Sequence, residues 1–116
     1  MGQRESLGEF EQLILLAIVR LAEDAYGVTI RHQIQLATQR VVSPGSLYTT
    51  LERLEDKGLL SSRTGETTPV RGGRAKRFYQ LTSLGRRRLV SSQQAFQKLL
   101  AGTGLLEKSH GQNWHR

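Results

Sequence analysis

The stretch from residue 43 to residue 58 limits the fold more narrowly than any other part of the sequence, because it marks both ends of a short helix. Ser43 is suited to cap this helix, and Pro44 stands in the first turn, where a missing backbone N–H is tolerated. Gly58 marks the C-terminal end. Leucines at i, i+4 and i+7 predict the buried face, which consists of Leu47, Leu51 and Leu54.

The face opposite these leucines is polar. Short hydroxyl side chains and one long cation are predicted to point outward: Ser46, Thr49, Thr50 and Arg53. Hydroxyl groups donate to phosphate oxygens, a threonine methyl can contact thymine, and an arginine can reach a guanine edge or a phosphate. The outer face of this helix therefore suits contact with DNA.

Two further helices are predicted before this segment. In the first, apolar residues from Phe10 to Leu21 recur at three- and four-residue spacing and cover almost the whole circumference. We expect one side of this helix to lie in the core and the other against a partner chain. The second helix is predicted from about Val28 to Gln39, with an apolar face formed by Ile30, Ile34 and Ala37.

After the third helix, the pattern changes to a hairpin and a last helix. Leu59 to Arg63 and Lys76 to Thr82 are predicted strands, joined by a segment that contains glycines and basic residues. Thr82 or Ser83 can cap a last helix with apolar residues at Leu89, Phe96, Leu99 and Leu100. Residues 102–116 show no periodicity and are predicted to form a flexible tail.

The charge distribution favours a polyanionic partner. The 116 residues carry a formal net charge of +7, and no carboxylate lies between Thr67 and Leu106. The basic residues of that part include Arg71, Arg74, Lys76 and Arg77. One part of the molecule is therefore strongly positive.

Other properties of the sequence exclude several classes of protein. Cysteine is absent, which rules out disulfides and cysteine-ligated metals and fits a reducing cytosol. The longest apolar run, Leu13 to Val19, is far shorter than the roughly 18 residues that a membrane span needs. Acidic residues precede that run, where a signal peptide is basic. We therefore expect a cytoplasmic protein that does not interact with a membrane.

Three helices followed by a two-stranded hairpin are typical of a winged helix-turn-helix. The predicted fold class is mainly α with a small β-hairpin, in which a winged helix-turn-helix at residues 1–82 is followed by one C-terminal helix at residues 83–101. In such domains the third helix lies in the major groove of DNA, and the hairpin tip contacts the flanking backbone or the minor groove.

The sequence resembles the PadR family of bacterial transcriptional regulators over roughly Leu7 to Leu89. The family's third-helix pattern, Leu-Tyr-x-x-Leu-x-Arg-Leu-Glu followed by Gly-Leu, begins at Leu47, and its wing pattern begins at Gly73. The resemblance implies homodimeric repressors that bind inverted-repeat operators through the third helix and the wing. It also implies that the last helix, with the first, is the dimerisation element.

The residues and the resemblance together define two sets of candidates. The predicted DNA contacts are Ser46, Tyr48, Thr49, Thr50, Arg53, Arg71, Gly73, Arg74, Lys76 and Arg77. The predicted dimerisation residues are Leu13, Leu16, Leu89, Phe96, Leu99 and Leu100.

Competing functions have weaker support in the sequence. An enzyme is not expected, because no Ser-His-Asp arrangement with supporting context and no phosphate-binding GxxxxGK[ST] loop is present. Neither a cofactor nor a metal is expected, since His110 and His115 have no third ligand nearby. Two alternatives to duplex DNA stay open, an RNA-binding basic winged helix and a winged helix that binds only protein. An unidentified small-molecule effector between the last helices of a dimer is a further hypothesis.

Overall fold

The computed structural model of the protein describes residues 6–65 and 75–106 and confirms a mainly helical chain with one β-hairpin. Its elements are α1 (Glu9–Leu21), a short 3₁₀ turn (Ala22–Asp24), α2 (Gly27–Thr38), α3 (Pro44–Asp56), β1 (Leu60–Thr64), β2 (Arg77–Leu81) and α4 (Ser83–Leu100). Their order is that of a winged helix-turn-helix followed by one helix. Within the described residues, none of the helices is both long and apolar enough to cross a membrane.

Helix α1 lies at the centre of the molecule. Ile14, Leu15 and Ile18 on this helix are almost completely buried in the core. Leu16 and Val19, on another side of the same helix, are 41% and 44% exposed. The apolar circumference predicted from the sequence is thus divided between a face in the core and a face open to solvent.

Helix α2 begins where a threonine hydroxyl closes its first turn. The Oγ1 of Thr29 accepts the backbone N–H of Tyr26 at 3.0 Å. Ile30 and Ile34 are buried as predicted, but Ala37 is exposed. The prediction that Ala37 shares their buried face is therefore wrong, because α2 leaves the core in its last turn.

Helix α3 has the boundaries that its sequence marks. The Oγ of Ser43 accepts the backbone N–H of Ser46 at 3.1 Å, and Pro44 is the first helical residue. Gly58 adopts a left-handed conformation with φ of 79° just after the helix, as a glycine does most easily. All members of the predicted leucine stripe are fully buried: Leu47, Leu51 and Leu54.

The hairpin is joined to the helical core along β2. Strands β1 and β2 are antiparallel, with Ser62 opposite Tyr79 and Arg63 opposite Phe78. Tyr79 and Leu81 point into the core, and the backbone N–H of Tyr79 donates to the carbonyl of Ala25 at 2.9 Å. An isolated bridge between Tyr26 and Phe78 extends this pairing. The turn before α2 therefore pairs with the edge of β2 that faces away from β1.

Helix α4 is held against the hairpin at its first turn. The Oγ1 of Thr82 accepts the N–H of Gly85 at 3.0 Å and donates to the carbonyl of Gly58 at 2.6 Å. Gly85 packs against the backbone of Leu59 so closely that a β-carbon at position 85 would overlap the Leu59 carbonyl. Leu89, one turn further along, is buried in the core of the single chain.

The described part of the predicted tail, residues 102–106, contains turns. The backbone N–H of Thr103 donates to the carbonyl of Leu100 at 3.0 Å, and its hydroxyl donates to the same carbonyl at 2.7 Å. The remainder of the predicted tail, residues 107–116, lies outside the described residues.

Candidate nucleic-acid interface

The outer face of α3 carries part of the polar set predicted from its sequence. Ser46 and Thr49 are exposed, and Tyr48 is 48% exposed. All of them belong to the first two turns of the helix. A hydroxyl-rich surface of this kind can donate hydrogen bonds to phosphate oxygens or base edges.

Thr50 does not belong to that surface. It is only 5% exposed, and its Oγ1 donates to the carbonyl of Ser46 at 2.9 Å. Thr50 immediately precedes Leu51 and follows Leu47 by three residues, so the helical rotation brings it to the edge of the buried stripe. The prediction that Thr50 points outward toward DNA is therefore wrong.

Tyr48 lies across the beginning of α2. A β-carbon at Gly27 would overlap the Tyr48 hydroxyl, which is to say that the phenol occupies the space left by the glycine. Gly27 is the first residue of α2. The hydroxyl of Tyr48 therefore lies beside the N-terminal end of α2, where the backbone amides are free of helical hydrogen bonds. Both the hydroxyl and these amides are donors suited to a phosphate.

Arg53 lies on α3 beside a buried carboxylate that the sequence did not single out. Its Nη1 is 3.9 Å from Oε2 of Glu11, and Nζ of Lys57 is 3.1 Å from the same oxygen. Burial raises the pKa of Glu11, but the hydrogen bond from Gly8 and the charges of Lys57 and Arg53 outweigh it, so the pKa lies below its ordinary value. Glu11 is therefore ionised at neutral pH.

Cations lie next to aromatic rings at the loop end of the two strands, which we call the base of the wing. Nζ of Lys76 lies 4.4 Å from the centre of the Tyr26 ring and 3.4 Å from its hydroxyl. On the neighbouring strand, the guanidinium of Arg63 lies 4.7 Å from the centre of the Phe78 ring. The rings of Tyr26 and Phe78 contact each other edge to face at 5.4 Å. These contacts hold two cations at the base of the wing.

Arg77 is the first residue of β2, and its side chain contacts both β1 and α3. Its Nε donates to the Oγ of Ser62 at 3.1 Å, and its Nη2 is 3.8 Å from Glu55. The side chain is nevertheless 57% exposed. The other predicted wing contacts, Arg71, Gly73 and Arg74, lie outside the described residues.

Sequence reasoning missed Glu11, Lys57 and Arg63. Glu11 and Lys57 are 46 positions apart, and their pairing depends on how α1 packs on α3. Arg63 belongs to the predicted first strand, but its place opposite Phe78 depends on the strand register, which was not predicted from the sequence.

The residues predicted for dimerisation divide into exposed, partly buried and buried ones. Leu16, Phe96 and Leu99 are exposed by 41%, 61% and 83%, while Leu100 is partly buried. Leu13 is also partly buried and packs against the core of its own chain. Leu89 is only 5% exposed because it fills that core, so the prediction that it lies at a dimer surface is wrong.

Comparison with known proteins gives one consistent result. The family model described as the transcriptional regulator PadR-like family matches residues 15–91. The chain is 47% identical over 58 residues to the transcriptional regulator Rv3488 of Mycobacterium tuberculosis, a match that covers 50% of each protein. The chain thus spans about half the length of this curated relative.

Solved structures of similar fold include two PadR proteins. A PadR-like transcription factor from Bacteroides fragilis is 26% identical with a TM-score of 0.66, over 84% of this chain and 88% of the other. A PadR family regulator from Clostridium difficile is 25% identical with a TM-score of 0.67, over 90% of this chain and 100% of the other. Since the family model matches more than half of the sequence, the chain belongs to the PadR-like family of transcriptional regulators.

Proposed function

We propose that this regulator is a repressor that binds an inverted-repeat operator as a homodimer. The observation that carries the proposal is the meeting of three elements at the N-terminus of α2. Tyr48 of α3 lies against Gly27, and Lys76 at the base of the wing lies over the ring of Tyr26, the residue before Gly27. The third helix and the wing are the two elements that winged helices use on DNA, and each of them contacts a residue at the beginning of α2.

This meeting point suits a phosphate of the DNA backbone. The Tyr48 hydroxyl and the Lys76 ammonium are donors, and the first amides of α2 add the positive end of a helix dipole. Contacts of this kind fix the register of a protein on duplex DNA without reading its sequence. We therefore assign Tyr48 and Lys76 to backbone contact.

Base reading is assigned to the exposed part of α3. Ser46 and Thr49 project from the first two turns, and the Arg53 side chain is 48% exposed one turn later. A major groove about 12 Å wide admits one helix. Arg71, Gly73, Arg74 and Arg77 are proposed to contact the phosphates that flank this groove.

A homodimer is supported by apolar surface on the two helices that flank the DNA-binding elements. Leu16 and Val19 are exposed on α1, and Phe96 and Leu99 are exposed on α4. Burying these side chains against a second copy would remove apolar area from water. A two-fold dimer presents its α3 helices to half-sites about 34 Å apart. Binding across a promoter would then exclude polymerase and repress transcription.

RNA is the less favoured partner. RNA-binding sheets present aromatic rings on which unpaired bases stack. Here Tyr79 is buried, and the Phe78 ring is covered by Tyr26 and Arg63. A role confined to protein binding would leave the concentration of positive charge between Thr67 and Leu106 without a purpose.

Selection from a pool of random duplexes tests the proposal. The DNA recovered by the wild-type protein should contain an inverted repeat, and its affinity should fall steeply with salt as condensed counterions are released. A scrambled duplex of the same composition and a single-stranded RNA of the same length serve as controls. Equal binding to all three nucleic acids would overturn the proposal.

A further inference from the structure

Glu11 on α1 is a covered carboxylate whose two oxygens have different neighbours. The residue is only 7% exposed. Its Oε1 accepts the backbone N–H of Gly8 at 2.9 Å, which closes the first turn of α1. Its Oε2 faces α3, with Nζ of Lys57 at 3.1 Å and Nη1 of Arg53 at 3.9 Å. A single carboxylate therefore joins the start of α1 to the C-terminal half of α3.

The two cations are held in different ways. Lys57 forms a hydrogen-bonded ion pair with Glu11, and its side chain is 26% exposed. Arg53 is beyond hydrogen-bond distance of Glu11, so its guanidinium is attracted by charge and not fixed by a directed bond. With a side chain that is 48% exposed, Arg53 can still reach DNA.

A carboxylate at this position has two effects on DNA binding. Its charge biases the conformations of a long, flexible arginine before the complex forms, which lowers the ordering entropy lost on contact. It also sets negative charge behind the guanidinium, which weakens the net attraction of Arg53 to a phosphate. The second effect favours a neutral base edge over a phosphate as the partner of this arginine. Discrimination of this kind combines an attractive contact with a repulsive one.

We propose that Glu11 is a positioning residue for operator recognition, which orients Arg53 toward the bases and thereby sets part of the sequence preference of α3. The inference rests on the proposed function, because it requires α3 to read DNA. It assigns to Glu11 a role beyond the capping of α1. If capping were its whole role, Glu11→Gln would leave DNA binding unchanged, because a glutamine at the third helical position can accept the same backbone N–H.

The test compares two substitutions that change the charge of α1 equally. Glu11→Gln removes the carboxylate beside Arg53. Glu9→Gln removes a carboxylate two positions away, whose partner is Arg40 at 3.0 Å and not a residue of α3. Each variant is measured by fluorescence anisotropy on the duplex that the wild-type protein selects from a random pool, and on a scrambled duplex. The readout is the ratio of the two affinities, which a uniform change of net charge does not alter.

We expect Glu11→Gln to lower this ratio at least about fivefold, mainly through tighter binding to the scrambled duplex. Glu9→Gln should leave the ratio within about twofold of wild type. In an Arg53→Ala background, Glu11→Gln should have no further effect on the ratio, because the side chain that Glu11 orients is already absent. The two substitutions together form a double-mutant cycle. Circular dichroism checks that each variant is folded.

An unchanged ratio in Glu11→Gln, or an equal change with and without Arg53, would overturn the inference while leaving the proposed function intact. Failure of the wild-type protein to select any sequence would overturn both. Should Glu11→Gln not fold, Glu11→Asp keeps the charge but withdraws it from Arg53. This variant should also lower the ratio, and a ratio equal to that of wild type would count against the inference.

Discussion

The hydroxyl of Tyr48 lies against the α-carbon of Gly27, in the space that a β-carbon at position 27 would need. This contact joins the second turn of α3 to the first residue of α2. The ring of Tyr26, the preceding residue, lies beneath Lys76 of the wing base. The orientation of the proposed phosphate contact therefore depends on the absence of a side chain at Gly27.

Substitution of Gly27 by alanine should weaken DNA binding more than it weakens the fold. The added β-carbon meets the far end of the Tyr48 side chain, which can rotate away at small cost to stability. The hydroxyl then leaves the N-terminus of α2, and we expect the affinity for duplex DNA to fall about three- to tenfold, as for the loss of one hydrogen bond. Fluorescence anisotropy on the selected duplex measures this change.

Gly45→Ala is the matched control for this substitution. A β-carbon at Gly45 has no atom within 4 Å, and the residue lies in the first turn of the same α3 helix. We expect its DNA affinity to remain within about twofold of wild type. Equal affinities for Gly27→Ala and the wild-type protein would show that the position of Tyr48 is not needed for binding.

Thr49 and Thr50 should differ sharply when each is replaced by valine. Thr49 is exposed on α3, whereas the Thr50 hydroxyl is buried and donates to the carbonyl of Ser46. We expect Thr49→Val to weaken DNA binding about threefold or more through loss of a donor. Thr50→Val should leave DNA affinity unchanged and alter stability by about 1 kcal/mol. If Thr50→Val weakened DNA binding more than Thr49→Val, the assignment of Thr49 to the DNA-binding face and of Thr50 to the buried face would be contradicted.

The boundaries and the buried face of α3 could be predicted because their causes are local. Ser43, Pro44 and Gly58 act on neighbouring backbone groups, and the leucine spacing follows from the helical repeat. Thr50 was misassigned because a buried stripe has a width that spacing alone does not give. Its neighbours in the packed structure decide that Thr50 lies inside the edge of the stripe.

Non-local pairs could not be read from the sequence. The ion pair of Glu11 and Lys57 depends on the angle at which α1 crosses α3, which no local pattern encodes. Leu89 and Leu99 have the same helical spacing signal, yet one fills the core and the other is 83% exposed. Only the first turns of α4 pack against the core, and this is fixed by the close approach of Gly85 to Leu59.

Leu99→Glu should separate the proposed dimer into monomers. The side chain is 83% exposed in the single chain, so the substitution has little effect on the core. A carboxylate buried across a two-fold interface would face its own copy and would be strongly unfavourable. Analytical ultracentrifugation should show a monomer. Leu36→Glu, on the 61% exposed surface of α2, is the control and should remain dimeric. A dimer in both variants would rule out α4 as the interface.

Gly85→Ala should destabilise the fold itself. The added β-carbon would overlap the backbone carbonyl of Leu59, which cannot rotate away as a side chain can. Helix α4 must then move off the start of the hairpin, and we expect the free energy of unfolding to fall by about 2 kcal/mol. Urea denaturation measures this loss. A midpoint equal to that of Gly45→Ala would show that α4 accommodates the extra carbon without moving.

The stability contributed by Glu11 should depend on pH in a defined direction. Its pKa in the folded protein lies below the ordinary value of 4.5, so its contribution is present above that pH and is lost as the pH falls through the folded pKa. At pH 7 we expect Glu11→Gln to lower the free energy of unfolding by about 1 to 2 kcal/mol, because a charged partner of Lys57 is removed. The difference from wild type should shrink as the pH falls below 4.5 and through the folded pKa, because the wild-type carboxylate then also becomes neutral. Urea denaturation over a pH series measures both the difference at pH 7 and its decrease in acid. Glu9→Gln, at an exposed position of the same helix, is the control. A difference that stayed constant over the whole acidic range in which the protein remains folded would mean that the geometry of the cap, and not the charge of Glu11, stabilises this junction.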